Sequence, residues 1–218
     1  MPQIKMRVEL KSITPDAERL IEMAARTCYD SPVSEDTESM RRFIREKVRL
    51  GHESVVEHAS ATFVVTGVSR ALTHQLVRHR LSSFSQQSQR YVDGGFFYYV
   101  VPDQIANNPD AMKVFMRVME TVGAGYSELR GMGIKKEDAR FLLPNAAAST
   151  IVFTANFRSL RHFLKLRLDR HAQWEIRAMA ERMLYLLYIA APSVFEDIFD
   201  ENRISVDKSS QAAQDTNQ

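Results

Sequence analysis

Residues 61–91, ATFVVTGVSRALTHQLVRHRLSSFSQQSQRY, contain in succession the three kinds of local structure that the rest of the chain repeats. ATFVVTGV at 61–68 is rich in β-branched and aromatic residues, which favours a strand. RALTHQLVRHR at 70–80 predicts a helix. SSFSQQSQR at 82–90 is polar and has no hydrophobic periodicity, so it predicts a loop.

On either side of this stretch the sequence predicts further strands and helices. The segments typical of strands are MRVEL at 6–10, FFYYVV at 96–101 and STIVFTAN at 149–156. Helical segments are predicted at 14–29, after Ser34 as far as Gly51, and at 109–131, 156–169 and 174–191. The first of these helices has Thr14 as its expected N-cap and Pro15 in its first turn.

Strands and long helices do not alternate strictly, which favours the α+β class. We therefore expect one domain over residues 1–205, with a small, mostly antiparallel sheet flanked by long helices. The segment 206–218 is polar and is expected to form a loose tail. No apolar run approaches the roughly 20 residues of a membrane span, and MPQIKMRVELKS has no secretory pattern. We therefore expect a cytoplasmic protein without a membrane partner.

The charge is nearly balanced, with 29 basic and 27 acidic residues giving a net charge of +2, but the basic residues are unevenly placed. Two stretches are locally basic, at 70–90 and at 158–170, and they suggest anionic ligands at defined places. One alternative is a nucleic-acid-binding protein with RALTHQLVRHR as a recognition helix. The balanced overall charge and the lack of helix-turn-helix spacing argue against it, so no nucleic-acid partner is expected.

Three features could suggest other chemistry. Cys28 is the single cysteine, so an internal disulfide is excluded, and its apolar spacing predicts a buried structural thiol. HESVVEH at 52–58 places its second histidine six residues after the first rather than four, so no metal site is expected. VGAGYSELRG at 122–131 lacks the third glycine of a dinucleotide-binding loop and lies within a helical pattern.

The segment QLVRHRLSSFSQQSQRY at 75–91 combines arginines with hydroxyl and amide side chains. Such groups suit phosphate oxygens and the edges of nucleobases. A solvated basic helix followed by a polar loop would have the same composition, so the spacing alone leaves both interpretations open.

RHRLSSFSQQSQRY at 78–91 resembles the R-H-R-x-x-S and S-x-R-Y motif of the flavin-dependent thymidylate synthase family. HESVVEH, DARFLLP at 138–144 and NFRSLRHFLKLRLDRHAQWEI at 156–176 resemble other elements of that family, so the resemblance spans roughly residues 50–180. This chain departs from it in three places. Family members often have Asn at Ser85 and Glu at Gln86, and some have Asn at His162.

The resemblance implies a set of site residues. Those expected to bind FAD are Ser54, Arg78, His79, Arg80, Gln86, Asn156, Phe157, Arg158 and His162. Those expected to bind deoxyuridine monophosphate (dUMP) are Gln75, Leu76, Val77, Arg78, Gln86, Gln87, Ser88, Gln89, Arg90, Arg140 and Arg167. Arg167 is the expected catalytic residue, helping to ionise the uracil ring, and His52 and Tyr91 are candidates for lining the flavin and folate face.

The resemblance also implies the reaction. NADPH reduces FAD, methylenetetrahydrofolate supplies the carbon, and dUMP becomes dTMP in a homotetramer whose subunits share active sites. The resemblance leaves one alternative, another NADPH-dependent flavoprotein that uses the same pocket.

Overall fold

The computed structural model of the chain describes residues 3–92 and 97–202 and confirms the α+β class. Four strands form one small antiparallel sheet in the order β1-β2-β4-β3. The strands are β1 (Arg7–Ile13), β2 (Ser60–Ser69), β3 (Ser83–Gln86) and β4 (Ala148–Asn156). Along β2 and β4 every second side chain is buried, as expected of strands with one face in a core.

The helices of the described ranges confirm most of the predicted positions. Their bounds are α1 (Ala17–Thr27), α2 (Thr37–Arg49), α3 (Arg70–Leu76), α4 (Asp103–Ala106), α5 (Pro109–Gly131), α6 (Lys136–Ala139), α7 (Phe157–Arg167), α8 (Trp174–Ala190) and α9 (Pro192–Glu201). Residues Glu53–His58 and Arg140–Leu142 form short 3-10 helices. The predicted helix at 109–131 coincides with α5, whereas α9 had no counterpart among the predictions.

Two predicted strand and loop assignments are wrong. The loop predicted at 82–90 contains β3, a polar strand at one end of the sheet, where pairing with β4 rather than hydrophobic burial defines it. Within the predicted strand at 96–101, only Tyr99 forms isolated bridges, to Gln3 and Ala147, and Phe96 lies outside the described residues. Phe97, Tyr99 and Val101 are buried by packing beside α5 instead.

Two predicted helices are shorter than expected. The first begins at Ala17 with Asp16 at its N-cap, while the predicted cap Thr14 accepts a 2.9 Å bond from the Ser60 backbone N–H. The helix predicted at 70–80 ends at Leu76. Arg78 therefore lies outside the helix that contains Gln75.

The contacts between residues divide the chain into two compact units. The first comprises Met1–Arg7, Val65–Arg78 and Phe84–Val152. Its apolar core is formed by Phe97, Tyr99, Val101 and Ala147 with Met119 of α5.

The second unit comprises Val8–Val64, His79–Ser83 and Phe153–Gln218. Its core includes α8, whose Ile176, Met179 and Leu184 are fully buried. The single domain over residues 1–205 stays a prediction, and the predicted tail at 206–218 lies outside the described residues.

The prediction of a buried thiol at Cys28 is wrong. Cys28 follows the last residue of α1, and it is exposed. The apolar spacing that suggested burial ends where the helix ends, and the thiol donates to the backbone carbonyl of Ala24 at 3.8 Å.

Across 3–92 and 97–202, no helix is both long enough and apolar enough to cross a membrane.

Candidate functional site

A cavity of about 350 Å³ lies in the first unit. Its volume falls in the range of small-molecule sites, about 300–1,000 Å³. It is lined by Ile4, Thr66, Gly67, Gln87, Ser88, Gln89, Val92, Phe97, Tyr98, Leu143, Ala147, Ala148, Ser149 and Thr150. Three residues predicted to bind dUMP, Gln87, Ser88 and Gln89, are therefore part of its wall. Apolar surface with a few hydroxyls and amides suits a planar ring that carries polar edges.

The polar part of the wall is held by hydrogen bonds from β3. Gln86 donates from Nε2 to Oγ1 of Thr73 at 2.9 Å and to Oγ of Ser149 at 3.1 Å. The backbone N–H of Gln87 donates to the carbonyl of Thr150 at 2.9 Å. These bonds fix where the segment that begins at Gln87 leaves the sheet.

Gly67 forms part of the wall where the backbone of β2 passes close to Lys5. Its φ is +67°, and a Cβ there would lie 2.3 Å from the carbonyl oxygen of Lys5. Glycine accepts both the positive φ and the close approach, and other residues do not. The sequence signal for this position, a single glycine within a strand, was present in ATFVVTGV.

The arginines predicted to hold phosphate lie outside the cavity wall. Arg90 forms a 3.2 Å ion pair with Glu137, and Arg140 donates from Nε to the backbone carbonyl of Glu137 at 3.1 Å. Burial, followed by the positive charge of Arg140, lowers the pKa of Arg70. A cluster of cations therefore exists in this unit, with Glu137 as its acidic partner.

The remaining residues predicted around the nucleotide differ in exposure. Leu76 is fully buried in the core, and Gln75 donates to the backbone carbonyl of Ala71 at 3.3 Å. Val77 and Arg78 are exposed directly after α3 ends. Tyr91 is also exposed, and the guanidinium of Arg90 lies 5.7 Å from the centre of its ring.

In the second unit, the predicted catalytic residue Arg167 is bonded to the predicted flavin residue His79. Nε–H of Arg167 donates to Nε2 of His79 at 3.0 Å. The imidazole packs edge-on against Phe163, with ring centres 5.0 Å apart, and lies 6.4 Å from the ring of His162. The last residue of α7 is thus oriented by a ring from the segment 79–83.

The environment of His79 keeps the imidazole neutral. Burial, and then the charges of Arg167 and His162, lower the pKa of His79 to about 4. A neutral ring that accepts at Nε2 carries its proton on Nδ1. Since the bond uses one N–H of the guanidinium, its other N–H groups are those that would meet an anionic ligand.

The other residues predicted to bind FAD in this unit have two kinds of surroundings. Asn156 caps α7 by accepting from the Ser159 backbone N–H at 2.9 Å. Phe157 is fully buried and its ring centre lies 5.1 Å from that of Phe195. The exposed members of the predicted set are Ser54, Arg80, Arg158 and His162, and His52, a candidate for lining the flavin and folate face, is exposed as well.

Arg161 is a buried structural residue that the sequence grouped with the other cations of the second basic stretch. It forms two bonds to the Asp197 carboxylate at 2.7 and 2.6 Å, donates to the Val194 carbonyl, and lies 3.4 Å from Glu53. Burial alone would lower the pKa of Arg161, but the bonds and charges of Asp197 and Glu53 outweigh it and raise that pKa.

Glu53 joins the 3-10 helix of HESVVEH to α7. Its carboxylate lies 3.4 Å from Nε of Arg161, 3.4 Å from Nζ of Lys165 and 3.9 Å from Nε of Arg158. Arg158 also pairs with Glu57. The acidic residues of this motif thus hold the segment that carries His52 and Ser54 against α7. Among residues 3–92 and 97–202, no group of three or more histidine, cysteine or acidic residues could hold a metal ion.

The family model for the thymidylate synthase complementing protein matches residues 9–193. The chain belongs to the flavin-dependent thymidylate synthase family. Curated members with that name include one from Nitratidesulfovibrio vulgaris, which is 46% identical over 89% of this chain and 87% of its own length. Another, from Geobacter sulfurreducens, is 44% identical over 88% of this chain and 86% of its own length.

The family fold is also found among solved structures. The UMP/dUMP methylase PolB from Streptomyces cacaoi, solved with bound 5-Br dUMP, superposes with a TM-score of 0.79. It is 29% identical and covers 90% of this chain and 95% of its own. The present chain therefore shares its fold, over 90% of its own length, with a protein whose structure was solved with a bound dUMP analogue.

Proposed function

We propose that this chain catalyses the reductive methylation of dUMP to dTMP with FAD as its cofactor, in thymidylate biosynthesis. One observation carries the proposal. Gln87, Ser88 and Gln89, from the motif that identifies the family, line a cavity whose size and polar wall suit a small ring compound. Relatives with 46% and 44% identity are named flavin-dependent thymidylate synthases, which supports the same activity here.

The balanced reaction takes dUMP, methylenetetrahydrofolate, NADPH and a proton to dTMP, tetrahydrofolate and NADP⁺. FAD reduced by NADPH would supply the hydride, and the folate would supply the carbon. The protein therefore has to bind and orient these molecules and to polarise the uracil ring. Cys28 is exposed, and Arg26, the basic residue nearest to it in the sequence, is already paired with Glu22 at 2.8 Å, so Cys28 is not proposed as a nucleophile.

Arg167 would polarise the pyrimidine. Negative charge develops on the uracil oxygens as the ring becomes nucleophilic, and a guanidinium held in place stabilises that charge without reorganising. The bond to His79 supplies this orientation. Because His79 is neutral, it adds no second positive charge beside Arg167.

The chemistry of the predicted flavin residues fits FAD in part. Arg78, Arg80 and Arg158 are exposed cations suited to a pyrophosphate. Phe157 offers FAD neither its side chain, which is in the core, nor its N–H, which donates to the Ala59 carbonyl. His52 and Tyr91, both exposed, would line the flavin and folate face.

For the nucleotide, we propose Gln87, Ser88, Gln89 and Arg90 with Arg140 as the phosphate-binding group, and Gln86 as the residue that fixes where this segment leaves the sheet. Arg90 would exchange its exposed 3.2 Å pair with Glu137 for phosphate, and the larger negative charge of the phosphate favours the exchange. We also propose a cytoplasmic homotetramer in which each chain folds as one domain over residues 1–205. Light scattering tests the assembly, and a monomer with full turnover would contradict it.

The test of the function is dTMP formation by the purified protein with FAD, NADPH, methylenetetrahydrofolate and dUMP, and with each omitted in turn. We expect product only when all four are present. A yellow protein that oxidises NADPH without forming dTMP would instead indicate another NADPH-dependent flavoprotein. A colourless protein that binds nucleic acid with a steep salt dependence would indicate the basic-helix alternative.

A further inference from the structure

We propose that Gln86 is a positioning residue, whose amide protons anchor the segment Gln87–Gln89 in the cavity wall of the first unit. The identity of the ligand in that cavity rests on the proposed function. The anchoring itself rests on the contacts of Gln86.

Gln86 ties the end of β3 to two other elements. Its Nε2 lies 2.9 Å from Oγ1 of Thr73 on α3 and 3.1 Å from Oγ of Ser149 on β4. Thr73 is fully buried and Ser149 nearly so. Because an amide nitrogen carries two protons, Gln86 can donate one hydrogen bond to each of these hydroxyl oxygens. Leaving either buried hydroxyl without its donor would lower the free energy of unfolding more than losing an exposed hydrogen bond would, because water can replace the donor only at an exposed site.

The Thr73 hydroxyl requires a donor at position 86. Its single proton is directed at the backbone carbonyl of Arg70, 3.1 Å away, so its oxygen is left to accept. An amide N–H meets that requirement. A carboxylate in the same place would bring a second acceptor toward the lone pairs of Thr73. The glutamine that departs from the family pattern is therefore matched to its neighbours in this chain.

The anchor acts on the cavity through the next residue. Gln87 follows directly and donates its N–H to the Thr150 carbonyl at 2.9 Å, and Gln87, Ser88 and Gln89 line the cavity. Without the Gln86 bonds, this segment would sample other positions before a ligand enters. Ligand binding would then weaken, whereas the chemical step of an already bound ligand would change little.

The test compares Gln86→Ala and Gln86→Glu with Gln104→Ala, which removes an exposed glutamine of α4 outside the predicted site. Hydrogen exchange at 87–89 reports the segment, calorimetry reports dUMP affinity, and steady-state kinetics separates KM from kcat. We expect Gln86→Ala and Gln86→Glu to speed exchange and to raise the Kd and KM for dUMP about tenfold, with kcat within about twofold. Gln104→Ala should match the parent.

Two results would overturn the proposal. A Gln86→Glu protein that matches the parent would show that no donor is needed, and a Gln86→Ala protein with unchanged exchange would show that no anchor exists. Exchange does not depend on turnover. Faster exchange in a protein that binds no dUMP would therefore support the anchor and count against the proposed function.

A double-mutant cycle with Thr73→Val isolates the contact, because valine keeps the shape and removes the acceptor. In the Thr73→Val background, Gln86→Ala should speed exchange by a smaller factor than in the parent, since the bond to Thr73 is already lost and only the bond to Ser149 remains to be removed. Independent, multiplying effects of the two substitutions would contradict the proposal.

Discussion

Nε–H of Arg167 donates a 3.0 Å hydrogen bond to Nε2 of His79, and only a neutral imidazole can accept it. The bond joins the end of α7 to the segment that follows α3, although the two residues are 88 positions apart in the sequence. It orients the residue that we propose to polarise the uracil ring.

Arg167→Ala should lower kcat by about 100-fold or more, because a fixed charge is lost where charge develops in the transition state. Arg170→Ala is the matched control, since this exposed arginine follows α7 and is outside the predicted site. Thermal unfolding should be unchanged in both variants. Equal kinetic effects in the two variants would show that general charge, not the position of Arg167, matters.

The lowered pKa of His79 predicts a specific dependence of stability on pH. Between pH 6.5 and about 4 the unfolded state binds a proton on His79 that the folded state does not, so the free energy of unfolding falls as pH falls through this window. At pH 5, the titration of His79 lowers the free energy of unfolding by about 1 kcal/mol after a discount for solvent screening.

Denaturant unfolding of the parent and of His79→Asn at pH 7 and pH 5 measures this contribution of His79 to the free energy of unfolding. The variant should lose less stability between the two pH values, since asparagine does not titrate. Parallel losses in both proteins would contradict a lowered pKa at His79.

Arg161→Met should lower the free energy of unfolding by about 3 kcal/mol, because Asp197 and the Val194 carbonyl lose a buried partner. Lys165→Met removes an exposed cation from the same carboxylate of Glu53 and should cost less than about 1 kcal/mol. Chemical denaturation of both variants decides the comparison. Similar costs would mean that the Arg161 pair is not a buried support of α9.

Gly67→Ala should destabilise the first unit by about 3 kcal/mol, since the new Cβ would meet the Lys5 carbonyl as well as an unfavourable φ. Gly133→Ala is a matched control with a φ of +83° and nothing within 4 Å of the new Cβ. It should cost about 1 kcal/mol. Unfolding midpoints that move equally would indicate that φ alone, and not the contact with Lys5, restricts position 67.

Cys28→Ser should retain dTMP formation and change stability by less than about 0.5 kcal/mol, because the side chain is exposed after the end of α1. Initial rates and thermal unfolding check both parts. A variant that folds and binds FAD but is inactive would overturn the view that the reaction proceeds without a thiol nucleophile.

Local sequence patterns correctly predicted the elements with strong periodicity. They failed where pairing between strands or tertiary packing determines the backbone conformation. Helix α5 was predicted to the residue because its apolar side chains recur every three or four positions. The strand β3 was missed because three of its four residues are polar and it is defined by bonds to β4. The run at 96–101 resembled a strand because buried packing and strand pairing select similar aromatic and branched residues.

The sequence by itself determined the α+β class, the family and the segment that lines the cavity, because motif residues and periodicity are local properties of the chain. Only the tertiary structure decided which of the similar cations in the second basic stretch are structural. Arg161 and Arg167 lie on one helix, yet one is buried against Asp197 and the other bonds to His79. Their partners lie 36 and 88 positions away, so spacing within the helix carries no information about them.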